Sequence, residues 1–172
     1  MKKRKKGFTI IELLLVLALS AVVLGVVFSF FLSNTRTINA TGVNSDLQEE
    51  AQDITEKITK DLMEAESIRD IINSDSVDVL TRNSCDISRV EIGFLTAESV
   101  TYLLSGSNLT KNGEVIGKDV ESLNVETLDG RSFSQTKGVK ITINLSKDFA
   151  NETYAYKTST NIIFRNKGAT TM

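Results

Sequence analysis

The sequence predicts an α+β fold, one long N-terminal helix followed by an antiparallel β-sheet. Three observations predict it. Residues 8–32 carry only four polar side chains, Thr9, Glu12, Ser20 and Ser29. Apolar residues then recur at steps of three and four, at Leu47, Ala51, Ile54, Ile58, Leu62, Ala65, Ile68 and Ile72, which is one stripe of a helix. From Val77 onward the period shortens to β-branched or alternating runs separated by glycine and asparagine turns.

The first element is an apolar run behind a basic one. Residues 2–6 are five consecutive cations, Gly7 follows, and the run begins at Phe8. As a helix, residues 8–32 extend roughly 37 Å at about 1.5 Å per residue, enough to cross a hydrocarbon core of about 30 Å. Cations immediately before the span put the N-terminus in the cytoplasm and the remainder outside, as a single pass. Glu12 is the anomaly, because a charged carboxylate in lipid costs from about 2.5 kcal/mol upward and commonly has a partner and a purpose. Two plain readings stand beside that anomaly. Ala18-Leu19-Ser20 has the small-x-small form of a signal-peptide cleavage site ahead of Ala21, although the apolar residues continue beyond that cut. Alternatively the run is a simple anchor whose Glu12 snorkels to the interface.

Residues 33–45, "SNTRTINATGVNS", are mostly β-branched, Asn and Gly, all mediocre helix formers. They read as a flexible or broken stalk, with Ser45-Asp46-Leu47-Gln48 offering a fresh capping box. The amphipathic helix is expected over 46–72. Its polar face carries Asp53–Lys57 and Glu56–Lys60 at i,i+4 spacing. Strands are expected at 89–95, 99–104, 114–116, 120–128, 138–145 and 153–164, as a β-meander over 77–165. Asn112-Gly113 and Asp129-Gly130 serve as hairpin turns in which glycine takes positive φ. The soluble domain is thus 46–172.

Composition narrows the chemistry. The chain has no His, Trp or Pro and one cysteine, Cys85. An internal disulfide is impossible, and metal sites built on clustered His or Cys are excluded. Without His, a Ser or Cys nucleophile lacks its usual base, so no catalytic residue, cofactor or metal is assigned and the chain is not read as an enzyme. Without residues 2–6 the balance is 15 cations against 22 acids, which argues against nucleic acid as a partner. Lys137, Lys140 and Lys147 read as solvated charges, and Cys85 as a half-buried structural residue. Asp75, Asp78 and Asp86 lack a regular calcium-loop spacing. The Asn39, Asn108, Asn144 and Asn151 sequons read as turn chemistry, and Tyr154 and Tyr156 as packing on one face of the last strand.

"KGFTIIELLLVLAL" resembles the type III signal of the type IV pilin and pseudopilin superfamily. The match is contiguous: a short basic leader, a small residue, an aromatic, and an acid at fixed spacing. The resemblance implies a leader, residues 1–7, removed by prepilin peptidase between Gly7 and Phe8. It further implies N-methylation of Phe8 and pairing of Glu12 with the new α-amine of its own or a neighbouring subunit during assembly. Residues 8–32 become the transmembrane and assembly helix, and the fold implied is the ladle-like one in which the sheet buries the second half of the helix. Many major pilins carry a proline late in the apolar segment, and this chain has none. The stretch "VTYLLSGSNLTKNGEVIGKDVESLNVETLD…KGVKITINL" also resembles J-type minor pseudopilins and related minor pilins, implying a tip position that initiates assembly. The expected partners are prepilin peptidase, other pilin or pseudopilin subunits and the cytoplasmic membrane. Competence, pilus and type II secretion-like filaments remain open, as does a single-pass protein with a ligand-binding or DNA-receptor ectodomain.

Overall fold

A computed structural model describes residues 9–75, 77–94, 96 and 98–166. Helix α1, Ile10–Glu64, is followed by eight strands: β1 Ser67–Asn73, β2 Ser84–Gly93, β3 Ser99–Ser105, β4 Asn108–Lys111, β5 Glu114–Gly117, β6 Val120–Thr127, β7 Gly138–Phe149 and β8 Glu152–Ile163. The α+β expectation holds. The chain divides into two compact units, Met1–Gly42 and Val43–Met172.

In the first unit, α1 presents apolar side chains that nothing covers: every described residue up to Ile38 is exposed. The mediocre helix formers of the expected stalk stay helical, since α1 has no break between Ile10 and Glu64. Thr35, Thr37 and Thr41 donate their hydroxyls to the carbonyls of Phe31, Ser33 and Thr37 at 3.0, 3.1 and 2.9 Å. Hydroxyls that would compete for the backbone are thereby satisfied within the helix. Ser45 lies inside the same helix, so its capping box is unused.

In the second unit the remaining part of α1 buries Val43, Leu47, Ala51, Ile54, Ile58 and Leu62 in one core with the inward residues of the sheet. The helix does not reach residue 72. It stops at Glu64 because the sheet claims the next groups: the Glu66 amide donates to Gly93 O at 2.9 Å. The terminal carbonyls find donors outside the helix. Arg165 N reaches Met63 O at 3.1 Å, and Asn166 Nδ2 reaches Glu64 O at 2.7 Å, which satisfies acceptors every helix end leaves open. Residues beyond form β1, whose pairing with β2 shifts register between Ile68 and Asp70 and again between Ile72 and Asn73. Those irregularities bury Ile68, Ile71 and Asn73. Two apolar residues three apart thus face the core from a strand, which imitates a helical period.

The sheet order is β5-β4-β3-β2-β6-β7-β8, with β1 also on β2, and all pairs are antiparallel. The expected uninterrupted meander is therefore corrected, since β6 pairs with β2 and not with β5. The reason lies in the turn after β5. Asp119 takes φ 56°, Val120 N donates to Ser107 O at 3.0 Å, and Lys118 N donates to Glu50 Oε1 of α1 at 2.7 Å. These bonds carry the chain back beside β2, which changes neighbour along its length: residues 84–86 pair with β6 and residues 89–93 with β3. Asn112-Gly113 forms the expected tight hairpin with φ 51° and 87°. The connection at Asp129-Gly130 is longer than a hairpin turn and inserts Phe133, fully buried, into the core. β4 and the first half of β2 were not expected as strands, and β7 runs four residues past its expected end at Leu145.

Candidate assembly site

Glu12 lies in the first turn of α1 and is exposed. Its amide donates to Thr9 Oγ1 at 3.3 Å, the N-cap bond that satisfies one orphan donor of a helix start. Thr9-Ile10-Ile11-Glu12 thus has the S/T-x-x-E form of a capping box. Thr9 is a residue the sequence reading passed over, although the four-residue spacing was there to find it. Gly7 and Phe8, the proposed cleavage and methylation residues, lie outside the described residues.

From Ile10 to Leu32 the large apolar side chains point outward along the helix without cover, between 46% and 81% exposed. Such a surface is far larger than a soluble monomer leaves in water. By length and composition α1 is able to cross a membrane near the N-terminus, with Glu12 as the one acid in its apolar run.

The sheet domain places the other candidates apart from one another. Cys85 is half-buried on β2 opposite Val125. Burial, and then the charge of Asp86, push its thiol up to about 11, with Arg82 opposing, so at neutral pH it is a protonated and poor nucleophile. Asp75 accepts from Asn73 Nδ2 at 3.3 Å, Asp78 from the Leu80 amide at 2.9 Å and Asp86 from Asn124 Nδ2 at 3.1 Å. Among the described residues no group of three or more acids, His or Cys is arranged to hold a metal ion. Tyr154 and Tyr156 are half-buried against the core on the helix side of β8. Lys147 sits 3.8 Å from Asp119 and 4.0 Å from Asp46, so it is paired and not part of a basic patch.

One polar cluster that sequence reasoning did not foresee joins α1 to the sheet. Tyr102 of β3 donates its hydroxyl to Asp61 Oδ2 at 2.5 Å, and Lys111 Nζ of β4 lies 2.6 Å from the same oxygen. Tyr102 is 1% exposed and Asp61 9%. Burial, then the hydrogen bond and charge of Asp61, push the phenol far above its ordinary range, keeping it a donor at any physiological pH. A buried carboxylate is tolerated only with such partners. The cluster fixes the seat of the helix.

A long helix with an uncovered apolar first part and a sheet-bound second part fits the class of single-pass, membrane-anchored proteins. The model of the prokaryotic N-terminal methylation motif matches residues 2–28. That match supports the type IV pilin and pseudopilin superfamily for this chain, whose motif is the one processed by prepilin peptidase. No curated protein and no solved structure matches the chain.

Proposed function

We propose that this chain is a minor subunit of a type IV pilus, competence or type II secretion-like filament, with its basic N-terminus in the cytoplasm. Prepilin peptidase cuts between Gly7 and Phe8, Phe8 is N-methylated, and α1 packs among the helices of neighbouring subunits. The observation that carries the reading is the contiguous motif over residues 2–28, leading into a helix whose apolar first part is left uncovered. The amine of Phe8 arises only on cleavage. Glu12, an acid four residues on in the sequence, offers it a counter-charge. Pairing within one subunit or across two serves as a register device in low dielectric, even where its net stabilisation is small. The likeness of residues 100–145 to J-type minor subunits supports a position at the tip.

Mass spectrometry of the mature N-terminus tests the processing. A methylated Phe8 is the expected start, and an intact Met1 or a start at Ala21 overturns the reading. Glu12→Ala should leave cleavage intact and block incorporation into filaments; normal incorporation removes the pairing. Sheared filaments should hold few copies of this subunit per filament, and bulk abundance contradicts the minor role.

A further inference from the structure

The helix seat is unequal on its two sides. Toward β3–β5 it is stitched down: Glu50 Oε1 accepts from Lys118 N at 2.7 Å, Lys57 Nζ reaches Ile116 O at 3.5 Å, and Asp61 holds Tyr102 and Lys111. Toward β8 the flank carrying Thr55, Thr59 and Met63 stands back from the strand. It leaves an open groove of about 450 Å³ with Thr158 on the far wall.

The two ends of the sheet are unequal as well. β5 is four residues long, and its pairing with β4 shifts register between Leu109 and Thr110. Short, irregular edges of this kind resist further pairing. β8 is twelve residues long and pairs with β7 from Glu152 to Ile163 without a register shift. No described strand pairs with its outer edge. It has no proline, and its only charge past Glu152 is Lys157, an exposed residue in no ion pair among the described residues.

We propose that the β8 edge and the adjoining groove take an extended segment of a partner polypeptide as an added strand. The edge supplies backbone donors and acceptors at a two-residue repeat, which only another extended chain can match along its length. Successive side chains of that segment point to opposite faces. One set is aliphatic and enters the groove against Thr55, Thr59, Met63 and Thr158. The other set faces away from α1 and includes an acid beside Lys157. That charge match makes the partner an alternating aliphatic and polar segment with an acidic residue on its polar face. The inference uses the sheet domain alone, so it stands or falls independently of leader cleavage and of filament assembly.

The test is amide hydrogen exchange of the full chain in detergent micelles. The probe is the capped peptide Lys-Thr-Val-Thr-Val-Glu-Val-Thr-Val-Lys. The peptide should slow exchange in β8 and leave β5 unchanged. Lys157→Glu should weaken the effect about threefold, the scale of an exposed ion pair, and a peptide with Lys in place of its Glu should restore it. Unchanged β8 exchange at peptide concentrations up to about 1 mM, an affinity of about −4 kcal/mol, overturns the proposal. So does binding indifferent to the charge reversal, or a β8-mediated dimer of the chain that excludes the peptide.

Discussion

Tyr102 shows how much a single side chain settles here. In the sequence it is one aromatic of an alternating strand, and nothing beside it announces a partner 41 residues away on the helix. Folding puts its hydroxyl on Asp61 and leaves that carboxylate buried between a phenol and an ammonium. Tyr102→Phe keeps the packing volume and removes the donor, so it should cost about 1–3 kcal/mol, read as a lower midpoint in urea with an unchanged slope. A loss below a few tenths would mean that Lys111 alone satisfies Asp61. At the other end of the helix, Thr9 and Glu12 were both legible, because a cap is a local device with fixed spacing. The cluster around Asp61 was not, because it depends on which strand passes beneath the helix.

Elements separate in the same way. The apolar stripe of α1 was readable from Leu47 to Leu62 because a helix repeats its own geometry, and all five stripe residues in that span are buried. The expected continuation through Ile68 and Ile72 is corrected: both belong to β1, a bulged strand that buries Ile68 and Ile71 and leaves Ile72 half-buried. Where α1 meets β5, the fit is close enough to test. A Cβ on Gly117 would run into Cγ1 and Cδ1 of Ile54, a fully buried residue. Gly117→Ala should therefore cost about 1–3 kcal/mol by overpacking, and Ile54→Ala about 2–5 kcal/mol by leaving a cavity. Since each change relieves the other, the double variant should lose clearly less than their sum. Strict additivity in a chemical-denaturation cycle would show that the two residues do not share that space.

For the molecule as a whole, every buried hydrophobic residue among those described lies between Val43 and Phe164. The core therefore owes nothing to the exposed apolar part of α1. A fragment spanning residues 43–172 should be soluble without detergent and unfold in one cooperative transition, whereas the full chain should need detergent or membrane. Non-cooperative unfolding of the fragment, followed by circular dichroism, would show that the first part of α1 is needed for the fold. The sequence by itself determined the apolar run, its single acid, the motif around Gly7 and Phe8, the α+β class and most strand positions. Each of these is written in local spacing, which short-range sterics, solvation and charge enforce on the chain as it stands. Only the tertiary structure decided where the helix ends, that β6 returns to β2, that Asp61 is held by Tyr102 and Lys111, and that β8 is left with an open edge beside a groove. Those outcomes depend on which distant groups compete for the same backbone donors, acceptors and core volume, and that competition is resolved only when the sheet has closed over the helix.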